Sequence, residues 1–269
     1  MIILEEPLKS WLLFCFNTNG TIHFKGSFNL KIFDMISTYL LAALYFIFSA
    51  QISNADFSTK TDVFLKTFVQ DGKVHYNKIK ANPKQLGELV KMIEEMNVTT
   101  LKGDDYAAFY LNAYNILVIN SVIKNYPVES PLLIKGFFDV TLQKVGGELI
   151  TLNDIENKKI RAKMKDARIH FALVCAAKSC PPLTNEAFTA ANVQDKLAAL
   201  TKTALNSDFI KVDYTNKKVE ISKIFEWYQS DFGSNINESI DFINQYRTKK
   251  IPADFKKGYY EYNWDLNDF

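Results

Sequence analysis

From Tyr106 to Asn125 the chain reads YAAFYLNAYNILVINSVIKN, a helix-forming run in which apolar residues fall on almost every face. A helix that is apolar all round has to be enclosed by the rest of the protein, so this segment predicts a central helix. Asp104 or Asp105 is placed to cap its start, and Pro127 stops it. Asn112 and Asn115 are three apart on one face of this helix. Asparagine disfavours helix interiors because its amide competes for backbone partners. Two on a buried face therefore call for specific partners: a loop to be pinned, or a reacting group to be held.

The flanking patterns predict an α+β domain. Phe57, Val63, Phe64 and Phe68 recur near helical spacing, and Gly72 breaks the pattern before Val74-His75-Tyr76. Pro83 opens a helix through Leu86, Leu89, Val90 and Ile93. Gly146-Gly147, between Val140–Val145 and Glu148–Leu152, reads as a hairpin turn. Asn153 reads as an N-cap, with Glu156 at the capping-box position of a short helix to about Lys163. Ile169 to Cys175 is continuously apolar and predicts a buried strand. An amphipathic helix is expected over Asn192–Leu205, and a second hairpin around Asn216. Helices from Ser222 to near Gly233 and from Ile236 to Tyr246 come next, with an aromatic strand at Tyr259–Leu266. The expected architecture is a helical N-terminal part around the central helix, packed on a small antiparallel sheet.

Residues 56–269 contain no repeat, low-complexity tract or linker, which predicts a single domain. Lys+Arg 32 against Asp+Glu 30 gives a net charge of +2 with no basic block, which argues against a nucleic-acid partner. Ahead of the domain, Tyr39–Ala50 is a twelve-residue apolar run followed by Ser53-Asn54-Ala55. The run is short for a membrane span and has the length of a signal-peptide core, with small residues placed for a cut before Asp56. The expectation is a start at Met35, residues 1–34 being an artefact upstream of it, and a signal peptide over 35–55. The alternative is a start at Met1, where Lys25 and Lys31 supply positive charge and the run stays as an anchor. Membrane contact is expected only through that uncleaved segment. The destination is periplasmic, cell-envelope or extracellular. Cys15 would leave with the leader, so Cys175 and Cys180 remain as an even pair.

The chemistry concentrates between His170 and Pro182. The chain has three histidines and three cysteines, and this stretch holds His170, Cys175 and Cys180. Three readings are open. A thiol becomes a nucleophile when an imidazole activates it and a third group orients the imidazole. Glu156, Asn112 and Asn115 are candidates for that third group, and Asn112 with nearby backbone N–H groups for oxyanion donors. On a regular strand His170 and Cys175, five apart, face opposite ways, so they meet only if the strand bulges or ends early. Alternatively, Cys175 and Cys180 form a small-loop disulfide. Zinc is the third reading, although the spacing matches no common site and a fourth ligand is lacking. Arginine is rare beside 29 lysines, yet Arg161 and Arg168 flank the approach to His170, which suggests that their planar fork is wanted. Asp154, Glu156 or Asp166 is the simple partner, and an anionic substrate group the bolder one.

Taken in order, several motifs resemble one family. They are Phe109-Tyr-Leu-Asn-Ala-Tyr-Asn, Val145-Gly-Gly, Leu152-Asn-Asp-Ile-Glu, Asp166-Ala-Arg-Ile-His-Phe-Ala-Leu-Val-Cys, Ser179-Cys-Pro-Pro, Ile224-Phe-Glu-Trp-Tyr-Gln-Ser-Asp-Phe-Gly and Tyr262-Asn-Trp-Asp-Leu-Asn. The family is domain of unknown function 547, common in exported bacterial proteins, and the likeness runs from about residue 57 to the end. It implies a papain-like or transglutaminase-like fold with Glu156, His170 and Cys175 as the catalytic set. Asn112, Asn115, Arg168 and Cys180 are expected to support them. Asn157 and Val174 depart from the pattern, since relatives often carry His at the first place and sometimes Asn at the second. The expected function is an exported thiol-dependent hydrolase of an amide or ester, using no cofactor or metal, on a substrate that the sequence does not name. The alternative is a non-catalytic binding or structural module closed by a Cys175–Cys180 disulfide.

Overall fold

Every side chain from Ala107 to Ile123 is buried in the computed structural model, which describes residues 53–269. Around this helix the chain lays down α1 (Asn54–Phe68), the short hairpin β1 (Val69–Gln70) and β2 (Lys73–Val74), α2 (Tyr76–Ala81) and α3 (Lys84–Glu95). The buried helix itself is α4 (Gly103–Asn125). Asp104 and Asp105 lie inside its first turn rather than at the cap, where their charge still favours the positive end of the helix dipole. Leu86, Leu89, Met92 and Ile93 of α3 are buried, as the apolar spacing requires.

Strands β3 (Leu142–Val145) and β4 (Glu148–Thr151) pair antiparallel, Val145 opposite Glu148, around the Gly146-Gly147 turn. Both turn glycines have positive φ, and their N–H groups donate to Ile93 O and Glu94 O at the end of α3. The turn therefore caps that helix as well as closing the hairpin. A Cβ on Gly146 would come within 2.7 Å of Val98, so the first position has no room for a side chain.

Helical backbone then runs from Leu152 to Met164. Its middle, Ile155–Arg161, is a π-helix. The cap is Thr151, whose hydroxyl accepts from Asp154 N, and not Asn153. Glu156 is consequently no capping-box residue; its side chain is buried beside α4.

The expected strand over Ile169–Cys175 does not form. Ala167–Phe171 is a 3-10 turn, opened by the Asp166 side chain accepting from Arg168 N. A short apolar run has the same pattern in a buried strand and in a buried turn, so periodicity could not separate them. Residues 172–174 are held by a side chain in place of a sheet partner. Asn115 Nδ2 donates to Ala172 O at 2.9 Å, and Val174 N donates to Asn115 Oδ1 at 3.0 Å.

The remainder comprises α5 (Val193–Leu205), β5 (Ile210–Asp213), β6 (Lys218–Ile221), α6 (Ile224–Trp227), α7 (Gln229–Phe232), α8 (Ile236–Tyr246) and β7 (Lys256–Tyr259). β5 and β6 are antiparallel, whereas β7 adds parallel to β6, with Lys218 opposite Lys256. Among the described residues the strands thus form three small separate sheets instead of one. Beyond Tyr259 the tail pairs singly, Leu266 with Ala177 and Asp268 with Val74, where a longer strand was expected.

Two apolar clusters result, one around α4 and a second built largely from residues after about 204. Ile169 and Ala172 belong to the first, Phe171 to the second. His170 therefore sits on their seam. The Met35 start and Cys15 lie outside the described residues, as does the leader up to residue 52. The expected cut between Ala55 and Asp56 falls in the first turn of α1, which Ser53 caps.

Candidate functional site

At that seam lies a cleft of about 260 Å³ that brings Glu156, His170, Cys175 and Cys180 to one surface. Each reaches it by a different local device. The π-helical stretch hydrogen-bonds from residue to fifth residue, as in Ala162 N–H to Asn157 O. Residues five apart, Glu156 and Arg161, are thereby brought towards the same face, which ordinary α-helical winding would not do. Tyr106 on α4 pins the stretch through its hydroxyl, which donates to Lys159 O at 3.0 Å.

His170 is 3% exposed, and its Nε2 lies 2.7 Å from Asp231 Oδ2. Arg161 grips the same carboxylate with two bonds, Nε to Oδ2 at 2.7 Å and Nη2 to Oδ1 at 2.8 Å. The His170 bond, followed by Arg161, holds the Asp231 carboxyl well below the usual carboxylate range despite its partial burial. The Tyr228 ring packs against both groups, its centroid 4.2 Å from that of the imidazole and 4.8 Å from the guanidinium carbon. An ionised Asp231 accepting from Nε2–H keeps the neutral imidazole proton on that nitrogen. Nδ1 is then left with the lone pair.

The orienting carboxylate of His170 is thus Asp231 and not Glu156. Glu156 Oε2 instead receives the Tyr114 hydroxyl at 3.2 Å. Burial, and next the Glu156 charge, push both Tyr114 and Tyr228 far above the ordinary phenol value, so both remain neutral donors.

Cys175 and Cys180 are joined as a disulfide, their Cα atoms 6.4 Å apart. Ala176 adopts a left-handed φ of 64°, which turns the chain immediately after Cys175. The Tyr262 hydroxyl lies 3.2 Å from both sulfurs, and Cys175 N donates to Cys180 Sγ at 3.0 Å. With the sulfurs joined, neither is a thiolate that could ligate zinc. Among the described residues no cluster of three or more His, Cys, Asp or Glu is placed to hold a metal.

The other expected residues lie elsewhere. Asn112 clamps the 188 loop: Nδ2 donates to Phe188 O at 2.7 Å, and Phe188 N to its Oδ1 at 2.9 Å. Asn115 clamps residues 172–174 in the same manner. Neither asparagine lines the cleft, so neither is placed as an oxyanion donor or orienting group. Arg168 takes the simple partner, Asp166, at 2.6 Å, and bonds Gln194 outside the cleft. Asp231 and most of the aromatic wall escape sequence reasoning, although they lie inside the motifs that begin at Ile224 and Tyr262. A single carboxylate near the end of the aromatic-rich run over 225–232 was the available signal.

Residues 98–203 match the model of the family described as "Protein of unknown function, DUF547". No curated protein and no solved structure matches the chain. The match covers Glu156, His170, Cys175 and Cys180, while Asp231 and Tyr262 lie beyond it.

Proposed function

The chain being a member of the DUF547 family, whose description assigns no reaction, we propose from its cleft a thiol-dependent hydrolase of an amide or ester, its nucleophile stored in the Cys175–Cys180 disulfide. The observation that carries this reading is the Asp231-oriented imidazole of His170, opening on the same cleft as Cys175. An external dithiol would first reduce the bond, becoming a disulfide itself and leaving two thiols. His170 Nδ1 then takes the Cys175 proton as Sγ bonds to the substrate carbonyl carbon. The imidazolium is stabilised by Asp231 and returns that proton to the departing alcohol or amine. Water, deprotonated by the same imidazole, cleaves the thioester, releases the acid and restores the thiol. The Tyr262 hydroxyl and Cys175 N–H are the donors beside the sulfur, and we assign them to the oxyanion in place of Asn112. We place the protein in an exported, oxidising compartment, a reading supported by the disulfide and by the apolar run at 39–50.

The disulfide also favours a second reading, a binding module whose bond is never opened. One experiment separates the two without a known substrate. Cys180→Ser frees Cys175, and its alkylation by iodoacetamide is followed from pH 5 to 9. A hydrolase thiol reacts rapidly at pH 6, and His170→Ala slows it about tenfold or more, because the imidazole no longer stabilises the thiolate. A rate that rises only through the ordinary thiol range near pH 8.5, unchanged by His170→Ala, rules the nucleophile out and leaves the binding module.

A further inference from the structure

The cleft holds a carboxylate, Glu156, that no cationic side chain among the described residues pairs with. Glu156 is 9% exposed, and its hydrogen-bonding neighbours are neutral phenols, Tyr114 and Tyr228. Among the described residues no lysine, arginine or histidine nitrogen lies within ion-pair distance of it. Arg161 senses Glu156 but gives two hydrogen bonds to Asp231, whose charge it matches. A buried carboxylate without a counter-ion is costly, and an arriving cation removes that cost.

The walls fit the same guest. Six aromatic side chains line the cleft: Tyr114, Phe138, Trp227, Tyr228, Tyr262 and Trp264. Trp227, Tyr262 and Trp264 touch one another with ring centroids 4.8 to 5.8 Å apart, forming one continuous wall. Among the described residues, no lysine, arginine or aspartate joins the lining. Ring faces attract cations, most strongly where water is excluded.

We propose that this cleft binds an organic ammonium group, seated against Glu156 and enclosed by the Trp227–Tyr262–Trp264 wall. The site is complete in the disulfide form, so this binding is independent of hydrolysis. In the hydrolase reading the ammonium belongs to the substrate.

Choline and 3,3-dimethyl-1-butanol, which have the same shape with and without the charge, test it by calorimetric titration of the unreduced full chain at constant ionic strength. Choline binds saturably and about tenfold or more tighter than the alcohol. Glu156→Gln, verified as folded by circular dichroism, loses that advantage and leaves the alcohol unchanged. Should Glu156→Gln not fold, Trp227→Ala takes its place. Trp227 is 48% exposed at the rim, and its removal weakens choline several-fold. Equal binding of the two probes, saturable binding by neither, or choline binding unmoved by the variant that folds overturns the proposal. A failed alkylation test with intact choline selectivity leaves the cleft an ammonium-binding module. The reverse result leaves a hydrolase for another substrate class.

Discussion

Asp231 serves two partners at once, and its ionisation ties the site to the stability of the protein. Its carboxyl is held below the usual range by His170 and Arg161. A carboxylate with a lowered folded pKa adds stability above its unfolded pKa, about 3.9, and loses it as pH falls through the folded value. Asp231→Asn should therefore cost about 2 kcal/mol at pH 7, the pair being only partly buried. The gap to wild type should narrow progressively below about pH 4. Denaturant melts at pH 7 and pH 3 measure both, and a gap constant with pH would disconnect the ion pair from stability. His170 and Cys175 were legible as members of one cleft because each is a rare residue type and the two lie close together in the chain. Asp231 was not, because it is one of many acidic residues and its meaning is set by a partner 61 positions away.

At the scale of elements, α4 works as a rod carrying two amide clamps. Asn112 and Asn115 each present a donor and an acceptor to a passing backbone, as a neighbouring strand would. This explains why asparagine occurs in a helix that is otherwise apolar. Asn115→Ala leaves Val174 N–H and Ala172 C=O buried without those partners, at a cost of about 3 kcal/mol. Hydrogen exchange at the Val174 amide should accelerate correspondingly, and slow exchange there in the variant would refute the clamp. The periodicity of α4, α3 and the Gly146-Gly147 hairpin was readable because burial on a regular element leaves a regular pattern. The π-helical stretch and the 3-10 turn were not, since their hydrogen bonding is decided by what they pack on. Glu156 illustrates this: its spacing from Asn153 satisfied a capping rule that Thr151 fulfils instead.

Across the whole molecule, the cleft is assembled from distant pieces. Glu156, His170 and the cysteines come from the middle of the chain, while Trp227, Tyr228, Tyr262 and Trp264, with Asp231 behind His170, come from beyond residue 203. The tail fastens these parts together. Val74 N donates to Asn267 O, Asn267 N to Ala176 O, Leu266 N to Glu129 O, and the buried Tyr76 hydroxyl to Asn267 Oδ1. Deleting residues 266–269 should lower stability by about 4 kcal/mol through the buried groups it leaves unpaired, and should loosen the cysteine loop. Unfolding melts combined with protease susceptibility around residues 174–180 check this, and an unchanged melt would show that the tail is dispensable.

Local pattern alone established the α+β class, the enclosed central helix and most helix and hairpin positions, and pointed to the stretch around His170, which lines the cleft. These are consequences of short-range backbone preference and of which residues avoid water. Tertiary packing alone decided that Asp231 pairs with His170 and that Glu156 stands apart, buried without a cationic partner among the described residues. It also decided that two asparagines are clamps and that an aromatic wall completes the cleft. Hydrogen bonding and charge compensation depend on distances of a few ångströms between residues far apart in sequence, and only the folded chain sets those distances.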